Sequence, residues 1–138
     1  MEKVSEMSLS NYEVGAVMAT ADIDKAKDFY GSKLELEVLS DNTPDGPISY
    51  KGAGGTGISV YESPEHAGKS TATMAGWSVD DLEQVVDKLT SNGVTFEQYT
   101  DEDGPGSSDE KGIIAFEGGK VAFFRDPDGN THSLNQFD

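Results

Sequence analysis

Two histidines and 26 acidic residues are the side chains of this 138-residue sequence best suited to bind a hard metal or move a proton near neutral pH, because the chain has no cysteine. Thiolate nucleophiles, disulfides and cysteine metal sites are thereby excluded. His66, His132, Glu62 and Glu117 are the candidates for a divalent-metal centre, since imidazole and carboxylate are the ligands such centres use. Their settings argue for other roles. His66 lies in Ser63 to Ala72, a stretch with the composition of a linker, and reads as a solvated side chain. His132 falls in the alternating run Thr131-His132-Ser133-Leu134-Asn135-Gln136 and reads as a hydrogen-bonded packing histidine. Glu62 and Glu117 end strands beside turns and read as solvent-facing carboxylates.

The elements that carry these residues occur twice. Tyr12 to Ala19 reads as a strand, Ala21 or Asp22 can cap a helix, and Ile23, Ala26, Phe29 and Tyr30 recur at helical spacing. Leu34, Leu36 and Val38 alternate with Glu35 and Glu37 as in a half-buried strand, and strands follow at Ile48 to Lys51 and Gly57 to Tyr61. After the linker, Thr73 to Val79 is a strand and Asp80 with Glu83 forms a capping-box start. Leu82, Val85, Val86 and Leu89 then make an amphipathic helix ended by Asn92-Gly93. Val94-Thr95-Phe96 opens a strand, and Ile113 to Phe116, Val121 to Arg125 and Thr131 to Gln136 complete the set. The spacing that separates Asp22 from Asp81 also separates Ile23 from Leu82 and Met18 from Trp77. The expected fold is therefore α+β with two βαβββ modules: a tail over residues 1–11, module one over 12–62, a linker over 63–72 and module two over 73–138. One such unit cannot bury its apolar sheet face alone, so two must pair, within a chain or between two.

Phe123-Phe124-Arg125-Asp126-Pro127-Asp128-Gly129-Asn130 reads as a strand running into a tight turn, where Pro127 fixes φ and Gly129 and Asn130 tolerate positive values. Together with Ala21-Asp22-Ile23-Asp24-Lys25-Ala26-Lys27-Asp28-Phe29-Tyr30, it closely resembles the vicinal oxygen chelate superfamily of glyoxalases, bleomycin-resistance proteins and extradiol dioxygenases. The resemblance implies curved sheets enclosing a pocket. It also implies, for the members that are enzymes, a divalent metal held from one position on the first and last strand of each module. In this sequence those positions carry Gly15, Met74, Ser133 and, near the glycine-rich connection, Ser59. Glycine, methionine and serine do not replace the imidazole and carboxylate ligands that a catalytic metal needs. No metal and no cofactor are expected.

Alternation along the same strands turns Val17, Ala19, Gly76 and Ser78, with Gly57, Tyr61, Thr131 and Asn135, toward the pocket. The pocket lining proper is read as Gly15, Val17, Ser59, Tyr61, Met74, Gly76, Ser133 and Asn135, which is small, weakly polar and uncharged. It suits a neutral, partly aromatic molecule, and no acid and base stand poised in it. Trp77 falls on the other face beside Val85 and Leu89, as a core residue. The acidic loop Thr100 to Gly112 reads either as a lid or as an exposed loop without a role. Three readings stay open: a metal-free small-molecule binder, a lyase or dioxygenase with atypical ligands such as Glu62 and His132, and a partner-binding dimer with a vestigial pocket. A homodimer is expected from the family resemblance, and a cytoplasmic location because no apolar stretch of signal or membrane length opens the chain.

The formal charge of −16, with ten basic residues and the acids scattered along the chain, opposes nucleic acid and anionic membrane surfaces as partners. It is also the surface expected of a salt-adapted protein. Screening shortens from about 10 Å at 0.1 M salt to about 3 Å at 1 M, so added KCl is expected to raise the melting temperature by relieving repulsion. Melts in KCl, compared with melts in a neutral osmolyte, measure this; a midpoint that stays flat or falls with KCl removes the salt-adaptation reading.

Overall fold

The computed structural model describes residues 7–100 and 106–138, and each half of the chain lays down a strand, a helix and three further strands. The first half holds β1 (Ala16–Thr20), α1 (Ile23–Lys27) with a π-helical continuation (Asp28–Lys33), β2 (Val38–Asp41), β3 (Ile48–Lys51) and β4 (Gly57–Glu62). The second holds β5 (Thr73–Ser78), α2 (Leu82–Ser91), β6 (Ile114–Phe116), β7 (Gly119–Arg125) and β8 (Thr131–Phe137). The two four-stranded sheets have the same order, β1-β4-β3-β2 and β5-β8-β7-β6. In each, the first strand runs parallel to the last while the other pairs are antiparallel. This is the expected α+β arrangement of two βαβββ modules. Of the expected tail, residues 1–6 lie outside the described residues, while Leu9–Asn11 form a short 3-10 turn. Residues 101–105 of the acidic loop also lie outside them.

The helix starts follow the aspartates. Asp22 accepts hydrogen bonds from the backbone N–H groups of Asp24 and Lys25, and Asp81 accepts from Gln84. The cap of α2 is therefore Asp81 rather than Asp80, which keeps it in register with Asp22 and forms no box with Glu83. The strand expected over Leu34 to Val38 begins only at Val38. Leu34 closes the π turn by donating to Phe29, Glu35 turns left-handed at φ 57°, and Leu36 donates back to Tyr30. The two leucines thus end a helix, although their spacing also fits a strand. Val94-Thr95-Phe96 likewise stops at a single bridge, Phe96 to Phe124.

Burial alternates on β3 and β4, while on β8 four residues in a row, Thr131 to Leu134, are buried. Met18, Thr20, Ile48, Tyr50, Ile58 and Val60 in module one, and Ala122, Phe124, His132 and Leu134 in module two, point to the helix side and are buried. There the apolar ones join Phe29, Tyr30, Leu82 and Val86 from the helices in one cluster that draws on both modules. The modules therefore share a core within a single chain. The opposite face is left open by the described residues in module one and along β5, with Val17 59% and Met74 38% exposed, whereas Ile114, Val121, Thr131 and Ser133 on that side of module two are buried. Among the described residues no helix is long and apolar enough to cross a membrane.

A buried polar chain crosses this core. The Trp77 indole donates Nε1–H to His132 Nδ1 at 3.1 Å. An indole can only donate, so Nδ1 is the bare nitrogen and Nε2 carries the hydrogen. Nε2–H then points at the Tyr30 hydroxyl, 2.9 Å away, and that hydroxyl donates to Asp126 Oδ2 at 2.7 Å. Asp126 also accepts from the backbone of Asp128 and Asn130 and from the Asn130 side chain. The turn that carries Asp126 reaches module one twice more: Asn130 Nδ2 donates to the Ala19 carbonyl at 3.0 Å, and Asp128 Oδ1 accepts from the Ala21 N–H at 2.9 Å. His132 is fully buried and stacks on Phe124 with ring centroids 4.7 Å apart. Its role as a packing histidine is what the alternation indicates.

Burial pushes the His132 imidazole down from 6.5 to about 4. A protonated Nδ1 would also face the Trp77 donor head-on. Between pH 6.5 and about 4 the unfolded chain binds a proton that the folded chain refuses, so stability is fully present above that window and falls by about 3 kcal/mol across it as pH drops. His132→Phe keeps the stacking but orphans the Trp77 donor, and is expected to cost about 1–3 kcal/mol at neutral pH. Urea unfolding from pH 7.5 to 4.5 checks both, with a gap between wild type and variant that narrows on acidification. A gap that stays constant would mean that His132 titrates normally.

Candidate functional site

The uncovered sheet faces hold two adjoining cavities. One, of about 330 Å³, lies at the seam where β1 and β5, the edge strands of the two sheets, come side by side; Gly15, Gly57, Met74, Gly76 and Trp77 border it. The other, of about 270 Å³, lies on the open face of module one and is bordered by Gly15, Val17, Leu39, Ser49, Gly57 and Ser59. Of the expected lining, Gly15, Met74 and Gly76 meet at the first, and Gly15, Val17 and Ser59 at the second. Tyr61, Ser133 and Asn135 border neither. Tyr61 stands at the far end of β4, 36% exposed. Ser133 is buried, and its hydroxyl accepts from Asn135 Nδ2 at 2.9 Å. Leu39 is a lining residue that the sequence does not reveal, because a register shift in β2 between Val38 and Ser40 decides where it points.

Pairing fixes the equivalence of the two serines. Val17 sits beside Ser59 on β4, and Gly76, its counterpart in the repeat, sits beside Ser133 on β8. Each serine is already engaged, Ser59 with the Ser49 hydroxyl at 2.8 Å and Ser133 with Asn135. Gly15 has a steric reason to be glycine: a Cβ there would stand 2.8 Å from the Gly57 carbonyl oxygen. The backbone of β4 thus occupies the space a ligand side chain would need. Gly57 is equally confined, since its own Cβ would stand 2.7 Å from the Tyr50 carbonyl oxygen.

These donors do not fit a divalent metal. The hydroxyls of Ser59 and Ser133, the thioether of Met74 and a glycine are neutral or absent ligands. The alternative set fares no better. Both ring nitrogens of His132 are taken: the lone pair of Nδ1 accepts from Trp77 and Nε2–H faces Tyr30, so no lone pair is free for a metal. His66 pairs through Nδ1 with Ser63 at 2.8 Å in the exposed segment between the modules. Glu62 and Glu117 are exposed. Among the described residues no three His, Cys, Asp or Glu side chains converge as a metal site would require. The site can instead offer apolar contact from Val17, Leu39 and Met74, hydroxyls from Ser49 and Ser59, and glycine backbone that a flat molecule can approach closely.

Residues 14–134 match the family model of the glyoxalase/bleomycin resistance protein/dioxygenase superfamily. No curated protein sequence matches the chain. Among solved structures, TnmS3, an antibiotic-binding protein from Streptomyces sp. CB03234, is similar at 23% identity and a TM-score of 0.71, over 98% of this chain and 100% of that one. A glyoxalase/bleomycin resistance protein from the same organism is similar at 24% identity and 0.65, over 90% and 98% of the two chains. A glyoxalase/bleomycin resistance protein/dioxygenase from Alicyclobacillus acidocaldarius is similar at 17% identity and 0.68, over 92% of each. At these identities the structures speak for the fold, and the family model speaks for descent: the chain belongs to the glyoxalase/bleomycin resistance protein/dioxygenase superfamily.

Proposed function

We propose that the chain binds a small neutral or aromatic molecule on the open faces of its sheets, without a catalytic metal. The observation that carries this is Gly15: at a position where the resemblance expects a metal ligand, the backbone of β4 fills the space a side chain would occupy. The other three such positions, Ser59, Met74 and Ser133, hold uncharged groups, and beside Ser59 and Met74 apolar residues border the cavities where a ligand can reach them. The name of TnmS3 describes that protein as antibiotic-binding, which supports a holding role for this one. Elemental analysis after dialysis is expected to find far less than one zinc, nickel, iron or manganese per chain. Uncharged polycyclic aromatic antibiotics, screened by thermal shift with and without EDTA, are expected to include one that raises the midpoint by roughly 10 °C at about a hundred times its Kd, with EDTA making no difference. A metal that survives dialysis and is needed for the shift would replace the binder by an enzyme.

The same faces support a homodimer. Val17, Leu39, Met74, Phe116 and Phe137 leave large apolar side chains exposed in the single chain, and a second copy set over them would turn open faces into an enclosed site. Sedimentation at micromolar concentration is expected to show twice the chain mass. A single-chain species at every concentration would mean that ligand binding needs no second copy.

A further inference from the structure

The helix side of the molecule carries an opening that the proposed site does not use. Where the exit of the π turn meets α2, a cavity of about 140 Å³ remains. Module one supplies Leu34 and Leu36, which the left-handed turn at Glu35 brings to the same cavity although they are two residues apart. From module two come Val85 and Leu89 of α2, with Trp77 and Phe124 on the sheet. Every residue bordering it is apolar. Phe124 is buried on the core side, whereas Leu34, Leu36, Trp77 and Val85 are only partly buried, so the cavity is reached from solvent.

We propose that this cavity is a second binding site, for a compact uncharged ring of about the size of benzene or toluene. Size points that way, because an engineered apolar cavity of about 150 Å³ stays dry and takes up benzene. Chemistry does too. The bordering side chains offer no countercharge and no spare hydrogen-bonding group, since the one polar atom among them, Trp77 Nε1, is committed to His132. An ion or strongly polar ligand would lose its hydration without replacement. The Trp77 ring is held in place by that bond and by stacking near parallel to His132, at 20° between planes, so one wall is fixed before any ligand arrives. The site draws on both modules and lies on the opposite side of β5 from Met74 and Gly76. Of its lining, only Trp77 also borders the seam cavity, so the two sites are distinguished by their other residues.

Toluene is the probe. Trp77 is the only tryptophan in the chain, so its fluorescence, excited beyond toluene absorption, is expected to change saturably on titration of the intact protein. Because Trp77 also borders the seam cavity, methyl spectra locate the binding: the signals of Leu34, Leu36, Val85 and Leu89 are expected to move together with the fluorescence while those of Val17 and Met74 stay still. Val85→Phe, which fills the opening, is expected to weaken binding by roughly tenfold or more, about 1.4 kcal/mol or above. Absence of a saturable change up to the solubility of toluene, or shifts confined to Val17 and Met74, overturns the proposal. The wild-type methyl map decides it even if Val85→Phe fails to fold.

Discussion

Everything on the open side of this protein rests on a polar chain buried on the other side. Trp77, His132, Tyr30 and Asp126 hand one hydrogen bond to the next across the boundary between the modules, and each donor in the series has an acceptor. Polar groups this deep are costly when unpaired and specific when paired. An apolar interface of the same area would let two βαβββ units slide or rotate over each other. Here the indole, the imidazole and the phenol each accept one geometry, so the relative placement of β1 and β5 is set, and with it the seam cavity between them.

The turn between β7 and β8 of module two acts as a clasp on module one. Asp126 gathers backbone donors within its own turn and the Tyr30 hydroxyl from the other module, while Asp128 and Asn130 bond to main-chain atoms of Ala21 and Ala19. A local motif with its own folding propensity thereby doubles as the long-range tie. That economy explains why the polar residues of Asp-Pro-Asp-Gly-Asn lie largely out of solvent, where a simple hairpin turn would leave them wet.

How far the sequence reveals this depends on distance along the chain. The strand before and after the turn, the helix faces of Ile23, Ala26, Phe29 and Tyr30, and the inward direction of Trp77 and His132 all follow from spacing, because each is decided by neighbours a few residues away. The partners of Asp126, Asp128 and Asn130 are not visible in that way, since they lie about a hundred positions upstream. Leu34 and Leu36 mislead for a different reason: a left-handed glutamate between them changes the backbone direction, and no residue type announces it. In the candidate site, the positions of Gly15, Met74 and Gly76 around one cavity follow from alternation, whereas the capture of Ser133 by Asn135 and the shift that exposes Leu39 arise from side-chain reach and strand register.

The glycine pair Gly15 and Gly57 has a historical side. The Gly57 carbonyl oxygen sits where a Gly15 Cβ would be, and the Tyr50 carbonyl oxygen sits where a Gly57 Cβ would be, so any side chain placed at position 15, a metal ligand included, meets main chain at its first atom. The two strands would have to part first, and a parted pair gains nothing until the ligand is in place. Strands closed to this distance work as a ratchet: leaving glycine at position 15 is barred until β4 moves, and at position 57 until β3 does.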